Sequence, residues 1–361
     1  MRHILQFAVA TLLAVGCSAA AQESAAGVDV RATVTGQFAA SSLFTQTGVD
    51  KSPASAGLRA VVYPTIKMSE HWTATAAWQL YTRPYFFDSF AQKNTGASGA
   101  LLQGSLNYAR VSEKGSLVIR AGILPTAFGA FLLRYDDAEN PLVDLPQSYG
   151  YYYEPVSSLG VAAAQVDATH GRFDGRVQFA NSSPANPRSI AARDQYGNWA
   201  GGAGVTVRQG FRIGVSGYRG PYLSRDYAFF FPGEAKPNTQ IAHALGTDVQ
   251  WSRGHWNVNG EFQRFVMPYA LIPTYREDAA YGELRRVLTP RWYVASRIGY
   301  ASATFGGTTT RYEFAAAYRP GRHELIKAGY QLNHHKTGTT ANDNTFAVQF
   351  ITTLHASRAI R

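Results

Sequence analysis

The chain has 361 residues, of which 45% are hydrophobic, 13% aromatic and 16% charged, with 34 glycines and a mean hydropathy of −0.19. Soluble proteins usually contain about 25% charged residues, so this composition argues against an ordinary soluble domain. The negative mean hydropathy argues equally against a bundle of membrane-spanning helices. Low charge together with many aromatic residues and much glycine favours a β-barrel wall that is apolar on one face only.

The first residues have the layout of a secretory signal peptide. A short basic start at Arg2 precedes an apolar core over 4–16, and three alanines at 19–21 form a small-residue cleavage site. The apolar core is shorter than the roughly 20 residues that a membrane-spanning helix needs. The sequence therefore predicts a signal peptide over 1–21 and one domain over 22–361.

Cys17 is the only cysteine, and it lies within the predicted signal peptide. Because it follows Gly16, an alternative is that Cys17 is the lipidated residue of a lipoprotein. If the signal peptide is removed instead, the mature chain contains no cysteine and can form no disulfide.

Strict alternation of apolar and polar side chains recurs along the chain and predicts strands with one apolar face. In chain order, the clearest segments cover 29–38, 72–81, 173–179, 292–300 and 346–350. No stretch keeps a 3.6-residue apolar period over three turns, so the fold class is predicted to be all-β. The last strand is expected over about 342–355, with 356–361 as a tail that lacks the terminal aromatic residue usual in outer-membrane barrels.

The connections between the predicted strands differ in length in a regular way. Short turns rich in Gly, Pro and Ser occur at 69–71, 112–115, 170–171, 209–210, 252–254, 288–290 and 320–321. Longer segments fall between them, at 43–55, 84–98, 128–155, 182–198 and 223–240, while the breaks near 270, 306 and 339 are brief. Short periplasmic turns and longer extracellular loops are typical of a transmembrane antiparallel β-barrel, and the breaks predict about 16 strands.

A secreted propeller or sandwich would also show many short strands. Two features favour the membrane barrel. Trp and Tyr cluster at the ends of the apolar faces, as in the aromatic girdles at membrane interfaces, for example Trp72, Tyr108, Trp251, Trp292 and Tyr318. The opposite faces hold more charged residues than a packed interior accepts. The expected location is the outer membrane of a Gram-negative-type bacterium, in contact with outer-membrane lipid.

If the apolar face meets lipid, the alternate face lines the lumen. The alternation predicts basic pore-lining side chains at Arg31, Arg59, Lys67, Arg83, Arg120, Arg176, Arg208, Arg212, Arg297, Arg311 and Lys327. Acidic candidates are fewer, namely Asp29, Asp174, Asp248, Glu261, Glu283 and Glu313. With 34 Lys and Arg against 24 Asp and Glu in the chain, this indicates a passive channel for small hydrophilic solutes, biased toward anions. The alternative is that the arginines pair with these acids across strands and only hold the shape of the wall.

The longest connection follows a strand over 116–122 and holds a recognisable pattern. It consists of Gly122, Pro125, Phe128, Gly129, Asn140, Pro141, Leu142, Pro146, Tyr149, Gly160 and Val161. Over about 116–187 the sequence resembles the outer-membrane porins related to the phosphate-selective porins. The resemblance implies a barrel of about sixteen strands, often a homotrimer, whose third long loop folds inward and narrows the pore.

On that resemblance the constriction loop covers about 128–155. Its charged residues Arg134, Asp136, Asp137, Glu139 and Asp144 would then face the solute path. The alternative is that they are ordinary charges of a surface loop. Both signs of charge occur in this segment, so the loop is not simply basic.

The sequence motifs do not favour an enzyme or a metal site over a channel. The sequence contains no HExxH, no G-x-S-x-G and no glycine-rich phosphate loop, and His334 and His335 would face opposite sides of a strand. We therefore expect no enzymatic activity, no cofactor and no metal, and an exported barrel would have no nucleic-acid partner despite the basic balance. A non-conducting barrel that acts as an anchor, receptor or assembly factor remains an alternative, because it differs only in lacking an open lumen.

Overall fold

The structure is a computed structural model of the chain. It describes residues 26–46, 54–83, 85–86, 96–149, 160–180, 196–223, 236–305, 307–336 and 342–359. The predicted signal peptide with Cys17 lies outside the described residues, as do the final residues of the predicted constriction loop, 150–155. The side chain of Arg83 is also outside the description, although its backbone belongs to a strand.

Sixteen strands form one closed antiparallel sheet in which each strand pairs with its neighbours in the sequence and the last pairs with the first. The strands are β1 (Gly27–Ser41), β2 (Ala54–Lys67), β3 (Trp72–Arg83), β4 (Gly96–Ser112), β5 (Gly115–Leu124), β6 (Val161–His170), β7 (Phe173–Ala180), β8 (Asn198–Arg208), β9 (Phe211–Pro221), β10 (Ile241–Arg253), β11 (Trp256–Met267), β12 (Tyr275–Val287), β13 (Trp292–Ala303), β14 (Gly307–Tyr318), β15 (Glu324–His335) and β16 (Asp343–Ala359). The predicted all-β, 16-strand transmembrane barrel is confirmed.

Helical structure in the described residues is limited to single turns. One α-helical turn covers Leu43–Gln46, and 3-10 turns cover Phe131–Arg134, Gln147–Tyr149 and Pro237–Thr239. Within the described ranges, no helix has both the length and the apolar character needed to cross a membrane.

The two faces of the sheet have inverted polarity compared with a soluble protein. On β13, the apolar Ile298 is 51% exposed while its neighbour Arg297 is 2% exposed. On β1, Phe38 is 48% exposed while Gln37 is 6% exposed. Because successive side chains of a strand point to opposite faces, the apolar residues form the outer surface and the polar residues point into the barrel. The outer surface is therefore suited to lipid.

The short and long connections lie at opposite ends of the barrel. Seven short turns join β2 to β3, β4 to β5 and so on to β14 and β15, and all the long connections lie among those that alternate with these turns. We call these two ends the short-turn end and the long-loop end. Aromatic pairs mark the outer surface near the short-turn end, with ring centroids 5.3 Å apart for Trp72 and Tyr108 and 4.6 Å apart for Trp292 and Tyr318.

The last strand is longer than the sequence pattern predicted. β16 continues to Ala359, because it pairs with the whole of β1 as far as the Gly27–Ala359 register pair. Residues 356–359 were expected to form part of a tail, and they belong to the barrel wall instead. Alternation of apolar residues weakens after Leu354, so the sequence held no signal for this extension.

Candidate functional site

The connection between β5 and β6 contains a segment, 125–149, that lies inside the barrel. Its backbone or side chains bond to inward side chains of β7, β9, β11 to β16, β1 and β2. One segment can reach strands on opposite sides of a closed sheet only from within it. We call residues 125–149 the lumen loop.

The lumen loop turns into the barrel at Gly129. This residue has a φ of +73°, and a Cβ there would lie 1.9 Å from the hydroxyl oxygen of Tyr149, so glycine is required. The carbonyl oxygen of Gly129 accepts a hydrogen bond from Arg176 on β7. The preceding Phe128 is fully buried, with its ring centroid 5.8 Å from that of Phe265. The Phe-Gly pair of the sequence pattern thus marks the point of insertion.

The end of the lumen loop is fixed to β11 by Glu261. The Tyr149 hydroxyl donates to Glu261 Oε1 at 2.6 Å, and the backbone N–H of Ala130 donates to the same oxygen at 3.0 Å. Burial and the neighbouring carboxylate of Glu261 raise the pKa of Tyr149 well above its ordinary value, so the phenol stays a hydrogen-bond donor. Glu261 therefore binds the loop and has little contact with solvent.

Asp137 of the lumen loop is held by β1, β2 and the segment after β3. Arg59 Nη1 lies 3.0 Å from Asp137 Oδ1, and both side chains are buried. The Thr35 and Tyr85 hydroxyls each donate to Asp137 Oδ2 at 2.9 Å. Arg59 and Asp137 were predicted to face the solute path, but in the structure they are buried and form an ion pair with each other.

Arg297 on β13 joins another part of the wall to the lumen loop. Its guanidinium nitrogens lie 3.0 Å from Glu283 Oε2 and 3.1 Å from Glu313 Oε2, with no solvent exposure of the arginine side chain. The same guanidinium donates to Asn140 Oδ1 and to the Asp144 carbonyl oxygen, both at 3.1 Å. Two wall carboxylates and two loop oxygens thus surround one buried cation.

Lys327 on β15 binds the backbone of the lumen loop directly. Its Nζ donates to the carbonyl oxygens of Asp137, Asn140 and Leu142 at 2.9, 3.0 and 2.8 Å. An ammonium has three N–H donors, so all of them are used within the loop. Lys327 is completely buried and functions here as an anchor for the loop backbone.

The other charged residues of the lumen loop also contact the wall. The contacts are Arg134 Nη1 to Glu283 Oε1 at 2.5 Å, Arg311 Nη1 to Asp144 Oδ2 at 3.2 Å, the Tyr63 hydroxyl to Asp136 Oδ2 at 2.5 Å, and Arg31 Nη1 to Glu139 Oε1 at 4.0 Å. Only the last pair is exposed, with 47% of the Arg31 side chain and 57% of the Glu139 side chain accessible. The loop charges are thus mostly neutralised by the wall.

A different part of the inner wall stays open to solvent. On β5 and β6, Arg120 Nε lies 3.3 Å from Asp167 Oδ2, with the side chains 34% and 27% exposed. Across β7, β9 and β10, Arg212 lies 2.6 Å from both Asp174 and Asp248. These inward pairs remain partly exposed, whereas Arg59 and Arg297 are covered by the lumen loop. The arrangement matches the alternative in which arginines pair with acids across strands.

The remaining predicted basic residues have diverse surroundings. Lys67 is exposed at the end of β2, and Arg176 is half-buried beside the Gly129 carbonyl. Arg208 is exposed at the end of β8, with its Cζ 6.0 Å from the centroid of the Phe211 ring. That these residues line a solute path stays a prediction, and Arg83 cannot be placed because its side chain is not described.

Neutral residues contribute to the site, and sequence reasoning had considered only the charged ones. Gln178 donates to the Pro125 carbonyl at 2.9 Å and accepts from the Ala127 N–H at 3.1 Å. Gln349 donates to the Val143 carbonyl at 3.3 Å. Strand alternation places both glutamines on the inward face, so that signal was present. Tyr85 lies outside any strand, and no sequence pattern pointed to it.

Within the residues that the structure describes, basic side chains are concentrated at the short-turn end of the barrel. Besides Arg212, which pairs with Asp174 and Asp248, twelve basic residues lie in the short turns or at the adjacent strand ends: Lys67, Arg110, Lys114, Arg172, Arg208, Arg253, Arg285, Arg286, Arg291, Arg319, Arg322 and Arg358. Besides Asp174, four acidic residues share this zone: Asp29, Glu70, Glu113 and Glu324. We call this zone the basic collar. The collar holds eight more basic than acidic residues, whereas the strand alternation predicts that the basic excess lines the lumen.

No protein-family model matches the sequence, and no curated protein matches it. Solved structures share the fold. The outer membrane channel DcaP of Acinetobacter baumannii has a TM-score of 0.65 at 9% identity, over 94% of this chain and 100% of that chain. Salmonella typhi OmpF, in complex with daunomycin, gives 0.61 at 10% identity, over 91% and 97% of the two chains. Vibrio cholerae OmpT, an outer membrane protein in its trimer form, gives 0.58 at 11%, over 91% and 100%.

Proposed function

We propose that this chain is an outer-membrane, porin-like channel for the passive diffusion of small hydrophilic solutes. The observation that supports this function best is that the lumen loop covers one part of the inner wall and leaves another part accessible to solvent. The lumen loop buries Arg59 on β2 and Arg297 on β13, whereas Arg120, Asp167, Arg212 and Asp174 on β5 to β9 remain accessible. A polar, hydrated surface inside a closed barrel is what small hydrophilic solutes need.

The lumen loop is the proposed constriction. It occupies the barrel interior and is anchored by Arg59, Arg297 and Lys327, so its position is fixed by buried contacts. Solutes would pass between this loop and the wall formed by β5 to β10. In this proposal, Arg176 stands at the boundary, because it bonds to the loop at Gly129 and belongs to the wall.

A weak anion bias is part of the proposal. Arg120 and Arg212 are paired with carboxylates, so their charges are largely balanced. Arg176 instead donates to a neutral carbonyl oxygen, which leaves its charge available. The basic collar adds positive potential at one mouth, which raises the local concentration of anions.

The other parts of the proposal concern maturation and assembly. Removal of residues 1–21 would leave the single barrel domain over 22–361, and the domain would work without cofactor, metal, enzymatic step or nucleic acid. A homotrimer is proposed because the resemblance over 116–187 implies one, and the Vibrio cholerae protein of the same fold is described in a trimer form.

The experiment is to fold the mature protein, insert it in planar bilayers and record single channels under a KCl gradient. Stable conductance steps with a reversal potential displaced toward the chloride potential are expected. Absence of conductance would contradict the channel, provided that circular dichroism and heat-dependent gel mobility show a folded barrel. The lumen loop would then be a plug, and the non-conducting anchor, receptor or assembly factor would be the function to pursue.

A further inference from the structure

Part of the basic collar lies on the outer surface of the barrel, where its arginines cannot contact solutes in the lumen. The register pairs Arg253 of β10 with Trp256 of β11, and Trp256 in turn with Arg286 of β12. Residues paired directly across an antiparallel sheet share one face, and Trp256 is 38% exposed on the outer surface. Two exposed arginines therefore flank one exposed tryptophan on the outside of the barrel.

The depth of this row in the membrane follows from the aromatic residues beside it. Trp72, Tyr108, Trp292 and Tyr318 lie on the outer surface next to the short turns. Trp and Tyr prefer the membrane–water interface, so they fix the level of the lipid headgroups at this end of the barrel. Trp256 is the first residue of β11 and lies at the same end. Arg253 and Arg286 are therefore at the level of the lipid phosphates.

The geometry of Arg286 suits a phosphate. Its guanidinium carbon lies over the Trp256 ring, 4.7 Å from the ring centroid, in a cation–π contact that positions the guanidinium against the indole. A stacked guanidinium keeps N–H donors free at its edge, and a phosphodiester accepts two of them at once. In the part of the chain that the structure describes, no carboxylate is paired with Arg253 or Arg286, whereas Arg264 at the long-loop end pairs with Asp278 at 2.6 Å.

We propose that Arg253, Trp256 and Arg286 form a binding site for the phosphodiester headgroup of an anionic phospholipid in the leaflet at the short-turn end. The two guanidinium groups bind the phosphate, and the indole contacts the glycerol backbone and upper acyl chain. A basic residue at an anionic leaflet gains enough free energy to favour the anionic lipid about fivefold. The site would fix the depth and local lipid composition of the barrel, independently of conductance.

The test uses tryptophan fluorescence in bilayers that contain lipids brominated near the glycerol backbone. At equal mole fraction, brominated phosphatidylglycerol should quench the wild-type protein more than brominated phosphatidylcholine does. Arg253→Gln combined with Arg286→Gln should reduce this preference by the share that Trp256, one of six tryptophans, contributes. The matched control, Arg264→Gln combined with Arg276→Gln, removes the same charge from the outer surface at the long-loop end and should retain the preference. Equal quenching of the wild-type protein by both lipids would overturn the proposal, as would full preference in the Arg253/Arg286 variant.

Two measurements on the unmodified protein keep the proposal testable if the double variant does not fold. Raising NaCl from about 0.1 M to about 1 M shortens the Debye length from roughly 10 to 3 Å, so the preference should fall strongly. A preference that is unchanged by salt would contradict binding through the headgroup charge. Inorganic phosphate added at constant ionic strength should leave the preference intact. Its loss would assign the site to free phosphate and overturn the lipid proposal.

Discussion

Arg297 illustrates that an inward arginine can be entirely occupied by protein groups. Strand alternation correctly placed Arg297 on the inner face, opposite Ile298. Alternation cannot show what covers a side chain, because the loop atoms that bind Arg297 come from a segment roughly 150 residues earlier in the chain. The same holds for Arg59 and Lys327, whose direction was predictable and whose partners were not. The alternation along a strand predicts whether a side chain points into the barrel or toward lipid. Which of the inward side chains contact water depends on the position of the folded lumen loop.

Replacing Arg297 with Met should therefore destabilise the protein strongly. The substitution leaves Glu283 and Glu313 buried without their shared cation, and breaking such a buried pair costs about 3–5 kcal/mol. The free energy of unfolding can be measured by urea titration of the protein in lipid vesicles. Adding Glu313→Gln to Arg297→Met should recover part of the loss, because Glu313 then no longer carries an unpaired charge, while Glu283 keeps Arg134 as its partner.

The matched control is Arg264→Gln, which breaks the exposed Arg264–Asp278 pair on the outer surface. Exposed pairs contribute little, so its effect should be much smaller than that of Arg297→Met. Equal effects of the two substitutions would show that the Arg297 cluster is hydrated and would contradict its role as a buried anchor.

At the scale of elements, the strands were easier to predict than the loop. The alternation of apolar and polar residues and the positions of the turn residues predicted the number of strands and their order, because each hairpin is formed by residues that are close in the sequence. The prediction that this loop folds into the barrel depended on a resemblance to known porins. The strand pattern could not supply it, because residues 125–149 are held by long-range contacts such as Lys327 Nζ to the Leu142 carbonyl. The extension of β16 to Ala359 was missed for a related reason, because it depends on pairing with β1 at the other end of the chain.

The position of the lumen loop can be tested with a disulfide. A Cβ built on Gly329 of β15 would lie 3.5 Å from the Cβ of Val143, within the range that disulfides span, and Val143→Cys also removes the methyl group that would collide with it. In a chain that lacks Cys17, Val143→Cys with Gly329→Cys should cross-link on mild oxidation, as a shift in gel mobility. The oxidised channel should conduct like the wild-type protein with less current noise, because the loop is already at that position.

The control places the second cysteine one position further along β15, as Val143→Cys with Tyr330→Cys. Tyr330 is 45% exposed on the outer surface, so its side chain points away from the loop and no cross-link should form. Failure of the Val143/Gly329 pair to cross-link, or equal cross-linking of both pairs, would contradict a loop that is held against the inner face of β15.

At the scale of the whole molecule, the position of the charged residues determines the electrostatic character of the lumen, and the net charge alone does not. The chain has ten more basic than acidic residues, and composition alone suggested a basic lumen. Among the described residues, most inward arginines instead pair with carboxylates, and an excess of basic residues lies in the basic collar. Composition could not reveal this, because the turns that form the collar are spread along the sequence and meet only when the barrel closes.

Two collar residues face the inside of the mouth and should control ion selectivity. The Arg285 guanidinium lies 4.6 Å from the ring centroid of the inward Tyr293, and Arg319 follows the inward Ala317 at the spacing of one face. Arg285→Gln with Arg319→Gln should shift the reversal potential in a KCl gradient away from the chloride potential, because fewer anions accumulate at the mouth. The difference should shrink near 1 M salt, where the Debye length is about 3 Å. Arg264→Gln with Arg276→Gln removes equal charge from the outer surface and should leave the reversal potential unchanged. If both variants shift it equally, selectivity arises from the overall charge of the barrel and the collar has no special role in conduction.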